Sequence, residues 1–159
     1  MKTITYLIPV YNEEKRLNKT FEALLKGPSF DEITLREVIF VNDGSTDATL
    51  SILNSNKSKL EKELNAIVKI VSYDTNRGKG YAVKRGMLLS TSDYTLFFDA
   101  DMSTSLNELH KFIPYFEKNE DVVIGTRKNG ESTVKEHQPF IRETMGKCFT
   151  LLSQLLLNT

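Results

Sequence analysis

The chain alternates between short apolar segments and longer segments in which apolar residues recur at helical spacing. The short segments predict strands, because they are rich in β-branched and aromatic residues and end in polar ones. The helical spacing predicts a helix between each strand and the next, and a last helix at 140–157. Five strands are predicted, at residues 3–8, 37–41, 66–73, 93–98 and 122–125.

Local signals mark the boundaries of these elements. Pro9 is predicted to end the first strand, since proline has no N–H to donate to a neighbouring strand. Asn12 is a candidate N-cap for the helix that follows. Thr104 or Ser105 is a candidate N-cap for the helix after the fourth strand. The polar stretch 128–138, with charges of both signs, predicts a loop before the last helix.

Strands that alternate with helices indicate an α/β fold with a mostly parallel sheet between helical layers. A length of 159 residues favours a single domain over 1–159. Right-handed crossovers bring the carboxyl ends of parallel strands to one edge of the sheet, which is where open α/β sheets bind ligands. Any functional site is therefore expected along that edge.

A cluster of polar residues follows each predicted strand. In a parallel sheet these clusters would converge on the same edge, although they are far apart in the sequence. This convergence predicts one composite binding site. The clusters are PVYNEE at 9–14, NDGSTD at 42–47, NRGKG at 76–80, DAD at 99–101 and GTR at 125–127.

Asp99 and Asp101 are the sharpest candidates within these clusters. Residues two apart on an extended backbone project to the same side. Two neighbouring carboxylates favour a hard divalent cation, with water or phosphate oxygens completing its shell. Alternatively, Asp101 caps the next helix and Asp99 faces solvent. The position directly after a buried strand, beside four other polar clusters, favours the cation.

Three other features have a local explanation beside a functional one. Gly78, Lys79 and Gly80 form either a tight turn before a helix or a loop that lets the backbone approach a phosphate. Asp43 lies in a turn, or it accepts a hydrogen bond from a base or ribose. Tyr11 is a surface aromatic, or it stacks on a base.

Composition narrows the range of partners. Lys plus Arg and Asp plus Glu both number 21, so net charge gives no drive toward nucleic acid, and no nucleic-acid partner is expected.

The single cysteine, Cys148, is expected to be a buried thiol in a reducing compartment, and a cytoplasmic location is predicted. No apolar stretch reaches the roughly 20 residues that span a bilayer. His110 and His137 have no partner at ligand spacing, so neither is expected to bind metal.

The motifs PVYNEE, VNDGSTD, NRGKGYAVKRGM and FFDADMSTSLNEL, in this order, resemble the inverting glycosyltransferases of family 2, which have the GT-A fold. The resemblance covers essentially the whole chain. The continuation GTRK and QPFIRETMGKCFTLLSQLLL is most similar to the polyprenyl-phosphate branch, and DAD before MST is similar to dolichyl-phosphate glucosyltransferases and their bacterial relatives. A nucleotide-diphospho-sugar transferase fold, Rossmann-like and three-layered, is therefore expected.

The resemblance also assigns residues. Asp99 and Asp101 would hold Mg²⁺ or Mn²⁺ on the donor diphosphate, and Asp43 would bind the base or ribose. Arg127 and Arg142 match family arginines near the donor diphosphate or the acceptor phosphate. The remaining positions, which line the nucleoside pocket or lie near the nucleotide, are Pro9, Tyr11, Asn12, Glu13, Lys79 and Gly80.

Three features depart from the family pattern. Asn42 stands where the family often has a first acid, so donor recognition depends more on Asp43. Ser103 stands where mannosyl-type relatives often have Gln, which disfavours GDP-mannose as donor. The family domain continues beyond the last helix, so the chain to Thr159 is expected to be C-terminally truncated, and its own activity is open.

The resemblance implies transfer of glucose from UDP-glucose to a polyprenyl or dolichyl phosphate, an acceptor that is already ionised. Two alternatives stay open: a family 2 enzyme that glycosylates a sugar hydroxyl in glycan or cell-envelope synthesis, and a nucleotide-sugar-binding fragment without turnover. The last helix is expected either at the cytoplasmic face of a membrane, with Lys147 on its polar side, or packed on the sheet or on another chain in a homodimer.

Overall fold

The computed structural model describes residues 1–116, 118 and 120–125. The chain divides into two compact units, Met1–Asp121 and Val122–Thr159. The first unit contains every regular element described below. Of the second unit, only 122–125 are described.

Four strands and the helices between them alternate along the first unit. A 3₁₀-helix at Leu106–Lys111 and the short helix α4 (Ile113–Phe116) follow the last strand. The alternating elements are β1 (Lys2–Val10), α1 (Leu17–Leu25), β2 (Ile33–Asp43), α2 (Thr49–Leu64), β3 (Ile67–Tyr73), α3 (Lys79–Met87) and β4 (Tyr94–Phe97).

The four strands form one parallel sheet in the order β3-β2-β1-β4. The chain first moves outward from β1 through β2 to β3, and then returns to the other side of β1 as β4. The loops after β1 and β3 lead to helices on opposite faces of the sheet, because α1 packs on one face and α3 on the other. A crevice opens at such a reversal in doubly wound folds, at the carboxyl ends of the strands.

Alternating strand residues bury the two faces of the sheet against different helices. On one face, β1 and β2 pack with α1, α2 and the 3₁₀-helix in a core that includes Phe21, Phe40 and Leu53. On the other face, Leu7 and Ile39 pack against α3. This arrangement confirms the predicted three-layer α/β/α architecture with a parallel sheet.

Pro9 does not end the first strand, contrary to the prediction, because β1 continues to Val10. The carbonyl of Leu7 faces β4, where it accepts a hydrogen bond from the Phe98 N–H at 3.2 Å. Pro9 is two residues further along and faces the same side, but β4 has already ended at Phe97. The missing N–H of proline therefore interrupts no pairing between β1 and β4, whose register ends at Leu7 and Phe97.

The helix boundaries differ in part from the predictions. Asn12 is not an N-cap: α1 begins at Leu17, and Arg16 occupies the cap position without a side-chain hydrogen bond. Ser105 caps the 3₁₀-helix, as predicted, by accepting a hydrogen bond from the Asn107 N–H at 3.2 Å. The predicted fifth strand, 122–125, has no strand structure.

No helix in the described part of the chain is long and apolar enough to cross a membrane. Several predictions fall outside the described residues, namely those for the loop at 128–138, the helix at 140–157, Cys148, His137, Arg127 and Arg142.

Candidate functional site

A cleft of about 420 Å³ lies at the carboxyl edge of the sheet, at the reversal between β1 and β4. Its walls come from the loops after all four strands and from the start of α3. The residues that line it are Pro9, Val10, Tyr11, Glu13, Asp43, Asn76, Gly78, Lys79, Ala82, Asp99, Ala100 and Asp101.

Reciprocal hydrogen bonds join the loop after β1 to the loop after β2. The Asn12 N–H donates to the Ser45 hydroxyl at 3.0 Å, and the Asn12 side-chain oxygen accepts from the Thr46 N–H at 2.9 Å. Asn12 has a φ of 54°, a left-handed conformation that asparagine tolerates. The exposed Asn12 side chain thus holds one loop against the other.

The residues after Asn12 continue this connection. The Glu13 N–H donates to the Thr49 hydroxyl at 2.8 Å. The Glu14 N–H donates to Asp47 at 3.2 Å, while the Glu14 carboxylate accepts from the Ala48 N–H at 3.0 Å. Residues 33 to 36 apart in the sequence are therefore joined in one wall of the cleft.

Asp43, at the end of β2, contributes a largely buried carboxylate, with the residue 3% exposed. One of its oxygens accepts from the Arg77 N–H at 2.8 Å, and its carbonyl accepts from the Asn76 side-chain amide at 3.1 Å. Gly44 follows with a φ of 67°, and a Cβ there would lie 2.5 Å from the Asn76 nitrogen. The loop after β3 packs so closely that only glycine fits at this turn.

Tyr73 places a second polar group beside Asp43. Its hydroxyl is buried and has no hydrogen-bond partner among the described residues. Burial, reinforced by the nearby Asp43 carboxylate, raises the pKa of Tyr73 above its ordinary value. The two groups are close enough to interact electrostatically, although no well-formed hydrogen bond joins them, and the phenol stays neutral.

Asp99 and Asp101 flank Ala100, which is buried. The Ala100 carbonyl accepts a hydrogen bond from the buried Thr20 hydroxyl at 2.6 Å, and this bond anchors the segment to α1. With Ala100 fixed inward, both carboxylates line the cleft, as predicted. Asp101 accepts from the Ser103 N–H at 2.9 Å, a local turn that leaves capping of the next helix to Ser105.

Lys79 forms an ion pair with Asp99 across the cleft. It is the first residue of α3, and Gly78 precedes it with a φ of 88°. A Cβ at Gly78 or Gly80 would meet nothing within 4 Å. The start of α3 therefore presents open space beside a positive side chain, where the helix N–H groups also favour an anion.

The donor set at Asp99 and Asp101 suits a divalent cation held jointly with a phosphate ligand. Both side chains are exposed in the cleft and present carboxylate oxygens, which Mg²⁺ and Mn²⁺ prefer. In the described part of the chain, no three His, Cys, Asp or Glu residues cluster as a complete protein site. A cation here would complete its shell with water and ligand oxygens.

The cleft brings together most of the residues predicted from the sequence. Asn12 and Gly80 do not line it, and Arg127 and Arg142 lie outside the described residues. Asn76 does line the cleft but was not predicted individually. Its position in the polar cluster after β3 is the signal that could have identified it. Its role as a donor to the Asp43 carbonyl depends on tertiary packing. The predicted residues that do line the cleft are Pro9, Tyr11, Glu13, Asp43, Lys79, Asp99 and Asp101.

Comparison with known proteins extends this picture. The sequence profile described as glycosyl transferase family 2 matches residues 5–159. A dolichyl-phosphate beta-glucosyltransferase of Trichomonas vaginalis is 32% identical over 152 residues, which cover 90% of this chain and 45% of that protein. An undecaprenyl-phosphate 4-deoxy-4-formamido-L-arabinose transferase of Pectobacterium carotovorum is 28% identical over 158 residues, which cover 92% of this chain and 45% of that protein. The chain spans about half the length of the curated relatives it matches.

Solved structures show the same fold. The crystal structure of S. aureus TarS 1–349 in complex with UDP is similar at a TM-score of 0.57 and 27% identity, over 74% of this chain and 32% of that one. A second crystal structure of TarS 1–349 is similar at a TM-score of 0.56 and 26% identity, over 74% of this chain and 33% of that one. Together with the family match, these structures confirm the GT-A fold.

Proposed function

The chain belongs to glycosyltransferase family 2, and we propose that it forms the nucleotide-sugar-binding part of an enzyme that transfers glucose from UDP-glucose to a polyprenyl or dolichyl phosphate. One observation supports this most strongly. An aromatic ring, a buried acid, a lysine and two exposed acids, contributed by loops after all four strands, line one cleft of about 420 Å³. That combination suits a base, a ribose and a charged diphosphate in one ligand.

The nucleoside end of the donor is assigned to the loops after β1 and β2. Tyr11 is about half exposed at the cleft and offers a face for stacking on a base. The Asp43 carboxylate accepts a hydrogen bond from the base or ribose in addition to the one from the Arg77 N–H. Pro9 and Glu13 complete this part of the lining. The bound UDP in the TarS complex supports a uridine nucleotide as donor.

The diphosphate end is assigned to the loops after β3 and β4. Asp99 and Asp101 would hold Mg²⁺ or Mn²⁺, and the cation would supply Lewis-acid neutralisation of the charge that develops on the departing diphosphate. Lys79 adds a mobile positive charge at the same place, and the open backbone around Gly78 lets a phosphate approach. These groups orient the donor and stabilise the leaving group.

A lipid phosphate suits this cleft as acceptor because it is already ionised at neutral pH and needs little general-base assistance. The Glu13 carboxylate lines the cleft, but it is engaged by Arg16 at 3.1 Å. The names of two relatives, a dolichyl-phosphate and an undecaprenyl-phosphate transferase, support the same acceptor class. Such an acceptor resides in a membrane, so the proposal includes contact of the protein with a membrane surface, on the cytoplasmic side expected from the sequence.

A transfer assay with two acceptors tests this function. Radiolabelled UDP-glucose and Mn²⁺ are incubated with the protein and either a polyprenyl phosphate or a soluble oligosaccharide. We expect organic-extractable label only with the lipid phosphate. Label on the oligosaccharide would indicate a sugar-hydroxyl acceptor, and metal-dependent UDP binding without transfer to either would indicate a binding fragment.

Asp101→Asn tests the cation assignment. The substitution keeps size and the hydrogen bond from the Ser103 N–H but removes the charge, so Mn²⁺-dependent UDP binding should fall at least about 100-fold. Isothermal titration calorimetry with and without Mn²⁺ measures this loss. Asp31→Asn, at an exposed acid in the loop before β2, is the control and should bind like the wild type. Unchanged binding by Asp101→Asn would remove Asp101 from the site.

A further inference from the structure

The Asp99 carboxylate at the cleft is paired with the Lys79 side chain. The Lys79 ammonium group forms the ion pair with one carboxylate oxygen of Asp99, and both side chains are about half exposed, at 56% and 51%. Asp101, two residues away, forms no ion pair with any described residue. The two acids of the loop after β4 therefore differ: Asp99 is paired with a lysine, whereas Asp101 has no ion pair with a described residue.

This asymmetry has a consequence for any cation that binds the pair. A divalent cation at Asp99 and the ammonium group of Lys79 would compete for the same carboxylate, and they repel each other at close range. Cation binding alone therefore includes the cost of breaking an ion pair. Because both partners are about half exposed, that cost is modest, equivalent to a few-fold in affinity.

We propose that Lys79 exchanges partners during donor binding. When the cation binds Asp99, the Lys79 ammonium group moves from Asp99 to the donor diphosphate. This inference rests on the proposed function, and it adds that Lys79 couples the cation and the diphosphate so that they bind as a unit. The diphosphate provides the acceptor that Lys79 loses at Asp99. Each ligand therefore strengthens the other, and the coupling is reciprocal.

The local structure permits this exchange. Lys79 has a flexible four-carbon stem and begins α3, a helix of nine residues whose N-terminus opens into the cleft. A Cβ on either flanking glycine, Gly78 or Gly80, would meet nothing within 4 Å. The backbone on either side of Lys79 is therefore open to a phosphate, and the half-exposed Lys79 side chain is free to turn toward it. The N–H groups at the helix start favour an anion at the same place.

A fixed structural ion pair makes the opposite prediction. If Lys79 served only to hold Asp99 in position, its removal would weaken cation binding, because Asp99 would lose its orientation. Under the exchange, removal of the ammonium group frees Asp99 and strengthens binding of the cation alone. The sign of the change in cation affinity therefore separates the two roles.

The test measures Mn²⁺ binding to the full chain by electron paramagnetic resonance, with and without UDP. Lys79→Met should bind Mn²⁺ alone about two- to fivefold more tightly than the wild type. It should bind UDP in the presence of Mn²⁺ about tenfold or more weakly, because the charged contact to phosphate is lost. Lys79→Arg, which keeps the charge, should retain the wild-type Mn²⁺ affinity within about twofold.

Lys84→Met is the matched control, since Lys84 is an exposed lysine of the same helix that does not line the cleft. It should match the wild type in both titrations, and thermal unfolding of each variant checks the fold. If Lys79→Met binds Mn²⁺ alone no more tightly than the wild type, the exchange is overturned while the proposed function stands. If the wild type binds no UDP with Mn²⁺, the proposed donor site fails and the exchange fails with it.

Discussion

The cleft depends on Gly44 having no side chain, because the loop after β3 packs directly against it. Gly44 combines a φ of 67° with backbone atoms of Thr75 and Asn76 at 2.6 and 2.5 Å from a would-be Cβ. The turn therefore serves two purposes: it reverses the chain after β2 and it admits the loop after β3. Asp43 and Asn76 can meet only because this contact is so close.

Gly44→Ala should therefore destabilise the protein and weaken nucleotide binding together. A left-handed alanine alone costs about 1–2 kcal/mol, and the backbone overlap adds to this cost. Gly78→Ala is the comparison, because its φ of 88° and ψ of 155° also strain alanine, whereas its Cβ would meet nothing within 4 Å, so the comparison separates backbone strain from overlap. Urea unfolding should show a loss at least about 1 kcal/mol larger for Gly44→Ala than for Gly78→Ala. Equal losses would mean that the loop after β3 can move aside.

At the scale of elements, the position of α3 determines where Lys79 enters the cleft. The helix lies close to the sheet because Gly86 has no side chain: a Cβ there would lie 2.0 Å from a methyl carbon of Leu7. Leu7 is fully buried in the core between α3 and the sheet, with Ile39 and Ala82. The packing of one glycine on one leucine thus sets the height of the helix above β1.

Gly86→Ala should destabilise the protein by about 1–3 kcal/mol, the usual cost of overpacking a core. Gly80→Ala in the same helix, where a Cβ meets nothing within 4 Å, should be neutral or slightly stabilising, because alanine favours helix. Leu7→Ala combined with Gly86→Ala should cost less than the sum of the single changes. Chemical denaturation of the wild type, the three single variants and the double variant measures these costs. Additive losses would show that the Leu7 contact does not limit the helix.

At the scale of the whole molecule, a buried polar network joins three strands at a distance from the cleft. Glu37 in β2 is 1% exposed and accepts hydrogen bonds from Lys69 in β3 at 2.6 Å, from the Thr91 hydroxyl at 2.7 Å and from the Thr5 hydroxyl in β1 at 3.1 Å. Burial on its own raises the pKa of Glu37, but the hydrogen bonds outweigh it and lower the pKa to about 2.

Because the folded protein lowers the pKa of Glu37 from an ordinary 4.5 to about 2, the charged carboxylate stabilises the fold above pH 4.5. That contribution is lost as the pH falls from about 4.5 through about 2. Glu37→Gln should cost about 2–3 kcal/mol at pH 7, because the buried charge of Glu37 is lost, while Lys69 stays about one-third exposed and still donates to the Leu89 carbonyl. The difference from the wild type should shrink in acid.

Urea unfolding at pH 7, 4 and 3 measures this dependence. Glu22→Gln is the control, because Glu22 is an exposed acid whose pair with Lys26 is worth little. It should follow the wild type at each pH. A Glu37→Gln deficit that stays constant between pH 7 and pH 3 would show that the network does not depend on the charge of Glu37.

The sequence by itself determined the parallel α/β architecture and the edge at which the site forms. Periodic apolar residues report which side of an element is buried, and polar clusters after strands such as 99–101 report where strands end. Those signals are local, and the rules for parallel crossovers turn them into a shared edge. The resemblance to family 2 follows from the same clusters, and the family match confirms it.

Only the tertiary structure decided what individual residues do within that edge. Asn12 joins two loops instead of capping a helix, Pro9 lies inside a strand because β4 stops short of it, and Lys79 pairs with Asp99. Each outcome depends on a neighbour that is distant in sequence. The sequence shows which chemical group each side chain has. Which partner that group meets depends on the order of the strands and on where each strand ends.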